Sequence, residues 1–344
     1  MRLSMSRRSL LGGLAGSLAA HGGQSHAEAA KPGILVGCWG GLYAQALQAI
    51  TDVPFTRNTG VVVRQALSDE QTRVARIAAP SGNGLLDVAL LSDVDAYKLS
   101  LGQVFAPVTT AGVGTLPHVL AGLRVPYGVP QASTALCLAY NNTKVAAPPR
   151  GFAALFDAAR KGPVGFSSEI AIHNLAAAAV AQRGKGASLE AAKSIFLALK
   201  KAGTLRVYPT NEALGQALAS GEVTMAPMWR SRAYVWKQDG RDIRNIVPDE
   251  GPIPFTILAC VPNSSRQAAS AMHYLDALLH PEAQVAMAQR TGLLPTVEAA
   301  RLDPALLREI GFTSTQRARF RPVSVAAVAR NGVALRHFWD QELA

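Results

Sequence analysis

Short apolar runs alternate along the chain with segments whose apolar positions recur at helical spacing, a pattern that predicts α/β layers. Ile34 to Cys38 reads as a first strand, Leu42 to Ile50 as a short amphipathic helix and Val61 to Gln65 as a second strand. Ser68 stands where it would cap a helix through Arg73 and Ile77 that stops near Pro80. Leu86 to Leu91 has the length of a buried strand, as does Thr134 to Tyr140, framed by Pro130 and Asn141-Asn142. A second set follows. Pro163 to Phe166 is strand-like, and Ala171 to Gln182 is a helix of small residues. Ser188 starts a helix that ends at Lys200-Lys201 and Gly203, and Asn211 caps one that ends near Gly221. Val223 to Met228 and Ile257 to Val261 read as strands. Helices are expected from about Ser265 to His280 and from Pro281 to Gly292. No internal repeat is visible.

The chain has 344 residues, enough for two lobes. Hydrophobic residues make up 49% and charged residues 17%, a globular rather than disordered balance. No apolar run approaches the roughly 18 residues that a membrane-spanning helix needs.

The first 29 residues read as a signal peptide. Arg2, Arg7 and Arg8 form a basic start, Ser9 to Ala20 is short and weakly apolar, and Ser25-His26-Ala27 or Ala27-Glu28-Ala29 offers a cleavage site. Ser6-Arg7-Arg8-Ser9-Leu10-Leu11 resembles the twin-arginine export motif but lacks the usual aromatic, so Sec export stays open. An ordinary first helix fits poorly, because five glycines between Gly12 and Gly23 would weaken it. The expected location is the periplasm.

The formal charge is +11, and loss of residues 1 to 27 leaves about +8. The basic residues are scattered without aromatic interleaving, which points to a solvated surface and not to nucleic acid. Cys38, Cys137 and Cys260 form no CxxC pair. Cys137 and Cys260 allow either a disulfide or two buried thiols.

Five stretches in order resemble a known family: Val36 to Tyr43 (VGCWGGLY), Leu86 to Tyr97 (LDVALLSDVDAY), Val125 to Asn141 (VPYGVPQASTALCLAYN), Ala217 to Trp229 (ALASGEVTMAPMW) and Val247 to Val261 (VPDEGPIPFTILACV). They resemble the type II periplasmic binding proteins, nearest to the spermidine/putrescine and iron group of ABC-transporter solute-binding proteins. The resemblance covers nearly all of residues 31 to 344. It implies a two-lobed α/β fold with a two-strand hinge, which permits closure around a solute. Lobe one would be residues 31–132 plus 256–300, and lobe two 133–255 plus 301–344. It also implies a monomer that delivers a small-molecule ligand to permease subunits in the inner membrane, with no cofactor and no metal.

In open α/β sheets ligands bind beyond the carboxyl ends of the strands. That rule selects Trp39 and Tyr43 after the first strand, Ser92 and Asp93 after Leu86 to Leu91, and Gln131, Ser133 and Thr134 at the first crossover. It also selects Ser167 and Ser168, then Trp229 and Arg230, then Glu250, Phe255 and Thr256 near the return crossover. Trp39 and Trp229 either wall the site, by stacking and cation–π contact, or pack under loops. Arg230 is either a bidentate anion binder or a surface arginine. Ser167 and Ser168 either cap the following helix or add an anion site there. Asp93 either pairs with a ligand ammonium or caps the short helix that holds Tyr97.

Polyamine binders of the resembled group carry an acid in the return crossover, but here Pro252 to Ile257 has none. Its iron binders use adjacent tyrosines, and the chain has no Tyr-Tyr pair. The residues that remain suit a small zwitterion or carboxylate, an amino acid or ω-amino acid, with a polyamine as the alternative. An enzyme or a ligand sensor on the same fold is the rival class. The chain lacks GxSxG, HExxH and the P-loop signature, and its seven histidines are dispersed, so no nucleophile and base can be named.

Overall fold

A computed structural model describes residues 33–79, 86–182 and 188–343. The expected signal peptide lies outside these residues, whereas the helix expected to stop near Pro80 ends at Ala78. Residues 32–344 form one compact unit.

Nine strands occur among the described residues: β1 (Gly33–Cys38), β2 (Val62–Leu67), β3 (Val88–Ser92), β4 (Val129–Asn141), β5 (Val164–Ser167), β6 (Leu205–Tyr208), β7 (Met225–Trp229), β8 (Ile243–Ile246) and β9 (Ile253–Cys260). Seven join in one sheet, ordered β2-β1-β3-β9-β4-β7, with β8 also paired to β4. β1 runs parallel to β2 and β3, whereas β9 is antiparallel to both β3 and β4. β5 and β6 form a separate parallel pair.

Two strands carry the sheet from one lobe to the other. β4 pairs with β9 from Val129 to Leu136, then with β7 and β8 from Leu136 to Asn141. Its 13 residues are almost all buried, which explains the near-continuous apolar sequence. Pro130, expected to frame this strand, lies within it. A register shift between Pro130 and Ala132 absorbs the missing backbone donor. One hydrophobic cluster gathers Ile34, Leu47, Val88 and Leu90 with Tyr274, Leu275 and Met287; another gathers Phe152, Phe166, Phe196, Leu214, Trp236 and Trp339.

Several helices differ from expectation in their ends. The helix from Leu42 does not stop at Ile50. It passes through a π-helical turn at Gln48–Asp52 into a further helix, Val53–Thr59, which ends on left-handed Gly60. Pro54 cannot donate to a preceding carbonyl, and the wider turn accommodates it. The turn also buries Asp52, whose carboxylate accepts hydrogen bonds from Tyr274 Oη at 2.5 Å and Gln65 Nε2 at 2.7 Å. Asp69, not Ser68, caps the next helix, and Thr210, not Asn211, caps Asn211–Ser220. Ser188 and Gly292 act as expected. The C-terminal helix Val325–Phe338 packs on Ala171–Ala181 and Leu189–Lys201 and reaches the Asp93–Ser100 helix.

The turn before β9 is fixed by the C-terminal segment. Arg321 N donates to Pro252 O, and Arg321 Nε donates to Glu250 O. Gly251 has φ +112°, and a Cβ there would lie 1.8 Å from Arg319 O. Gly251→Ala should therefore cost about 1–3 kcal/mol of stability. Urea unfolding checks this, and an unchanged midpoint would contradict it. Cys38, Cys137 and Cys260 are free, buried thiols, so the disulfide alternative is not realised. Burial pushes the Cys137 thiol up to about 12.

Candidate functional site

The strand-end residues fall into three groups around the crossing strands. The first stands at the end of β1. Gly41, with φ +69° and no side chain, turns the chain into the helix that carries Tyr43. Trp39 meets Tyr43 edge-on at 5.7 Å, and the guanidinium of fully buried Arg73 lies 4.3 Å from the Trp39 ring centroid. Arg73 donates through Nε to Leu90 O at 3.0 Å and through Nη1 to Ser68 O at 2.5 Å, so it forms a fixed cationic floor under Trp39. Tyr43 Oη donates to Gln131 Oε1 at 2.9 Å, tying this turn to the crossing strand β4.

The second group stands at the end of β3. Ser92 Oγ caps the Asp93–Ser100 helix by accepting from Asp95 N at 3.2 Å, while Ser92 N donates to Glu70 Oε1. The Asp93 carboxylate accepts from Val94 N at 2.9 Å and from the backbone N–H of Thr256 on β9. Burial pushes the Asp93 carboxyl up from its ordinary 3.8 to about 6. Glu70 rises to about 7, chiefly by burial and then by the charge of Asp95, which is itself raised.

These shifts predict a pH dependence. Raised carboxyls bind a proton more tightly in the folded chain than in the unfolded one. Their stabilisation is complete below about pH 4 and is lost as pH rises through about 7 for Glu70 and about 6 for Asp93. Glu70→Gln retains the acceptor for Ser92 N and removes the titration. The stability difference between this variant and the wild type should move in the variant's favour as pH rises from about 4.5 to about 8. Paired thermal unfolding at several pH values measures it, and a constant difference would count against the assignment.

The third group joins β7, β9 and the Ala171–Ala181 helix. Trp229 stacks on Phe255 with centroids 4.6 Å apart and planes at 30°. His173 meets Trp229 edge-on at 4.8 Å and Phe255 at 5.8 Å. Thr256, which follows Phe255, holds Asp93, so the second and third groups adjoin at the hinge. Burial alone pushes the His173 imidazole down to about 4, which leaves it uncharged at neutral pH.

The remaining strand-end residues are held by partners within the protein. Arg230 follows Trp229 and leaves the strand on the opposite side. Its Nη1 donates to Asn245 Oδ1 at 3.2 Å and its Nη2 to Arg308 O at 3.0 Å, with the guanidinium 5.4 Å from the Phe312 ring centroid. Ser168 Oγ accepts from Trp339 Nε1 at 3.1 Å, and its carbonyl accepts from Arg336 Nη1 at 2.9 Å. Ser167 Oγ accepts from Glu169 N and caps the short turn before Ala171, while that helix has no side-chain cap of its own. Ser133 bridges to Leu294 through both backbone groups. Thr134 Oγ1 accepts from Ser231 N at 3.3 Å, and Glu250 caps Phe152–Ala158 by accepting from Phe152 N and Ala153 N. A hollow of about 530 Å³ between the helices at 152–158, 171–181 and 189–201 includes none of these residues.

Sequence reasoning passes over His173, Glu70 and Arg73. The signal for His173 is its position: with Asn174 it is the polar exception in a helix of alanines that begins just beyond a strand end.

The described residues contain no helix long and apolar enough to cross a membrane, and no group of three or more His, Cys, Asp or Glu side chains arranged to hold a metal ion. A family described as bacterial extracellular solute-binding protein matches residues 51–312. No curated protein matches the chain in sequence. Among solved structures, the Atu4243–GABA receptor superposes with TM-score 0.79 at 19% identity, over 90% of this chain and 97% of that one. An ABC transporter substrate-binding protein from Bradyrhizobium japonicum USDA 110 gives TM-score 0.79 at 17% identity, over 90% and 98%. The binding protein AgtB from A. tumefaciens R10, in complex with agropinic acid, gives 0.76 at 20%, over 90% and 98%. The two-lobed α/β fold is common to them.

Proposed function

The chain belongs to the bacterial extracellular solute-binding proteins, and we propose that its solute is a small zwitterion or carboxylate of the amino acid or ω-amino acid type. The observation that carries this reading is the stack of Trp229 on Phe255 at the hinge, beside Asp93. An aromatic pair takes an aliphatic stem by dispersion and an ammonium by cation–π attraction. Asp93 supplies a carboxylate near the same point, and Trp39 over Arg73 supplies a second aromatic surface from lobe one. The lobes are taken as residues 31–132 plus 256–300 and 133–255 plus 301–344, closing around the solute through β4 and β9.

In this account the protein is exported, loses its signal near residues 27–29 and hands its solute to the permease of an ABC importer without chemical change. The solutes named for two similar structures, GABA and agropinic acid, carry carboxyl groups and support the same class. The spermidine/putrescine alternative is weaker, because Pro252 to Ile257 carries no acid and Asp93 alone cannot pair with the several ammonium groups of a polyamine.

A thermal-shift panel of amino acids, ω-amino acids, putrescine and spermidine tests the reading. A solute at 100 times its Kd adds about 2.7 kcal/mol, and the response should come from the amino acid or ω-amino acid arm. Nanomolar binding of a polyamine with no response to amino acids would overturn it.

A further inference from the structure

We propose that His173 is the specificity-determining contact of this site, its imidazole donating a hydrogen bond to a carboxylate oxygen of the solute. The inference rests on the solute-binding reading above and adds the group that orients the solute.

The geometry leaves the imidazole free for such a role. Its ring is held edge-on by Trp229 and Phe255, so its orientation is fixed before a solute arrives. It is 9% exposed and makes no hydrogen bond to any described residue. A buried side chain with an unused donor lacks the hydrogen bond that such groups almost always find, and a solute can supply it.

Position selects the partner. His173 lies in the first turn of an 11-residue helix whose preceding residue, Ile170, offers no side-chain cap. Backbone N–H groups and the positive end of the helix dipole favour an anion there. The imidazole supplies an N–H on a ring whose plane is set by the two aromatic contacts, whereas the dipole alone has no such placement. Asp93, whose carboxylate accepts from the backbone N–H of Thr256 next to Phe255, is the group assigned to the cationic end of the zwitterion. A neutral donor suits this arrangement, because it binds a carboxylate without repelling the solute's ammonium.

The rival role for His173 is plain ring packing, and two variants separate the roles. His173→Phe preserves an edge-on ring and removes the donor; His173→Gln preserves a donor and removes the ring. The full-length chain, labelled with ¹⁵N, is titrated with 4-aminobutyrate, with butyrate and with butylamine. The His173 imidazole resonances are identified by their loss in His173→Phe. They should move with 4-aminobutyrate and with butyrate and stay in place with butylamine. His173→Phe should lose roughly 10- to 100-fold in affinity for 4-aminobutyrate, the range for a hydrogen bond to a charged group. His173→Gln should recover at least part of that loss. Equal affinity in His173→Phe, or resonances that follow butylamine alone, overturns the proposal and leaves the solute reading standing. Binding by the wild-type chain of none of the three probes and of no member of the amino acid and ω-amino acid panel overturns both.

Discussion

Replacing Trp229 with alanine is expected to weaken solute binding by roughly 10- to 100-fold while leaving most of the chain's stability in place. The effect has three sources. The indole forms one side of the stack with Phe255, at 4.6 Å and 30°, so its removal deletes the wall against which an aliphatic stem packs. It also deletes the aromatic face nearest an ammonium, a contact worth about 0.5–2 kcal/mol depending on how dry the site is. Finally, it frees His173, whose orientation depends on the edge-on contact at 4.8 Å. Trp229→Phe keeps a ring and should lose far less. Calorimetric titration gives both numbers. Equal affinity in wild type and Trp229→Ala would remove the aromatic group from the site.

The largest stability effect is expected at Trp339, a residue that touches no proposed solute. Its indole is fully buried, with ring centroids 5.2 Å from Phe196 and 6.5 Å from Phe166. Its Nε1 donates to Ser168 Oγ. Trp339→Ala opens a cavity among these rings and leaves the Ser168 hydroxyl without that donor, a combination that costs about 3–5 kcal/mol. The C-terminal helix Val325–Phe338 loses part of its anchor in the same step. Urea unfolding should show the midpoint fall sharply, and the folded fraction should still bind solute with near wild-type affinity. A loss below about 1 kcal/mol would mean that the C-terminal segment contributes little to this core.

The sheet is legible where strands are buried on both faces. Leu86 to Leu91 and Thr134 to Tyr140 read as strands because the lobes enclose them completely. β6 and β8 leave little trace for the converse reason. LRVY and IRNI are four residues long, carry one and two polar residues respectively and are only partly buried, so they carry little periodic signal. The helix from Leu42 reads too short because no local pattern announces a π turn that carries it past Ile50 and absorbs Pro54. Caps displaced by one residue, as at Ser68 and Asn211, reflect competition between adjacent polar side chains that only the backbone angles resolve.

The site is legible as a set of turns but not as a set of directions. Trp229 and Arg230 are adjacent in sequence, yet one ring meets Phe255 while the guanidinium stacks near Phe312. Neighbouring side chains on a strand end point to opposite faces, and nothing in the sequence says which face is the cleft. Ser168 shows the same limit, since its hydroxyl is taken by Trp339 from the far end of the chain. His173 lies in a helix whose alanines advertise close packing, and a single histidine there has no motif to mark it.

The central claim is that one small zwitterion or carboxylate binds reversibly at the aromatic group on the hinge. Calorimetric titration of the full chain with amino acids and ω-amino acids, run beside Trp229→Ala and followed by recovery of the solute, addresses it most directly. The account predicts one solute per chain, an affinity weakened roughly 10- to 100-fold in the variant, and a solute recovered unchanged. Tight binding confined to putrescine or spermidine, binding indifferent to Trp229, or conversion of the solute to a product would contradict it.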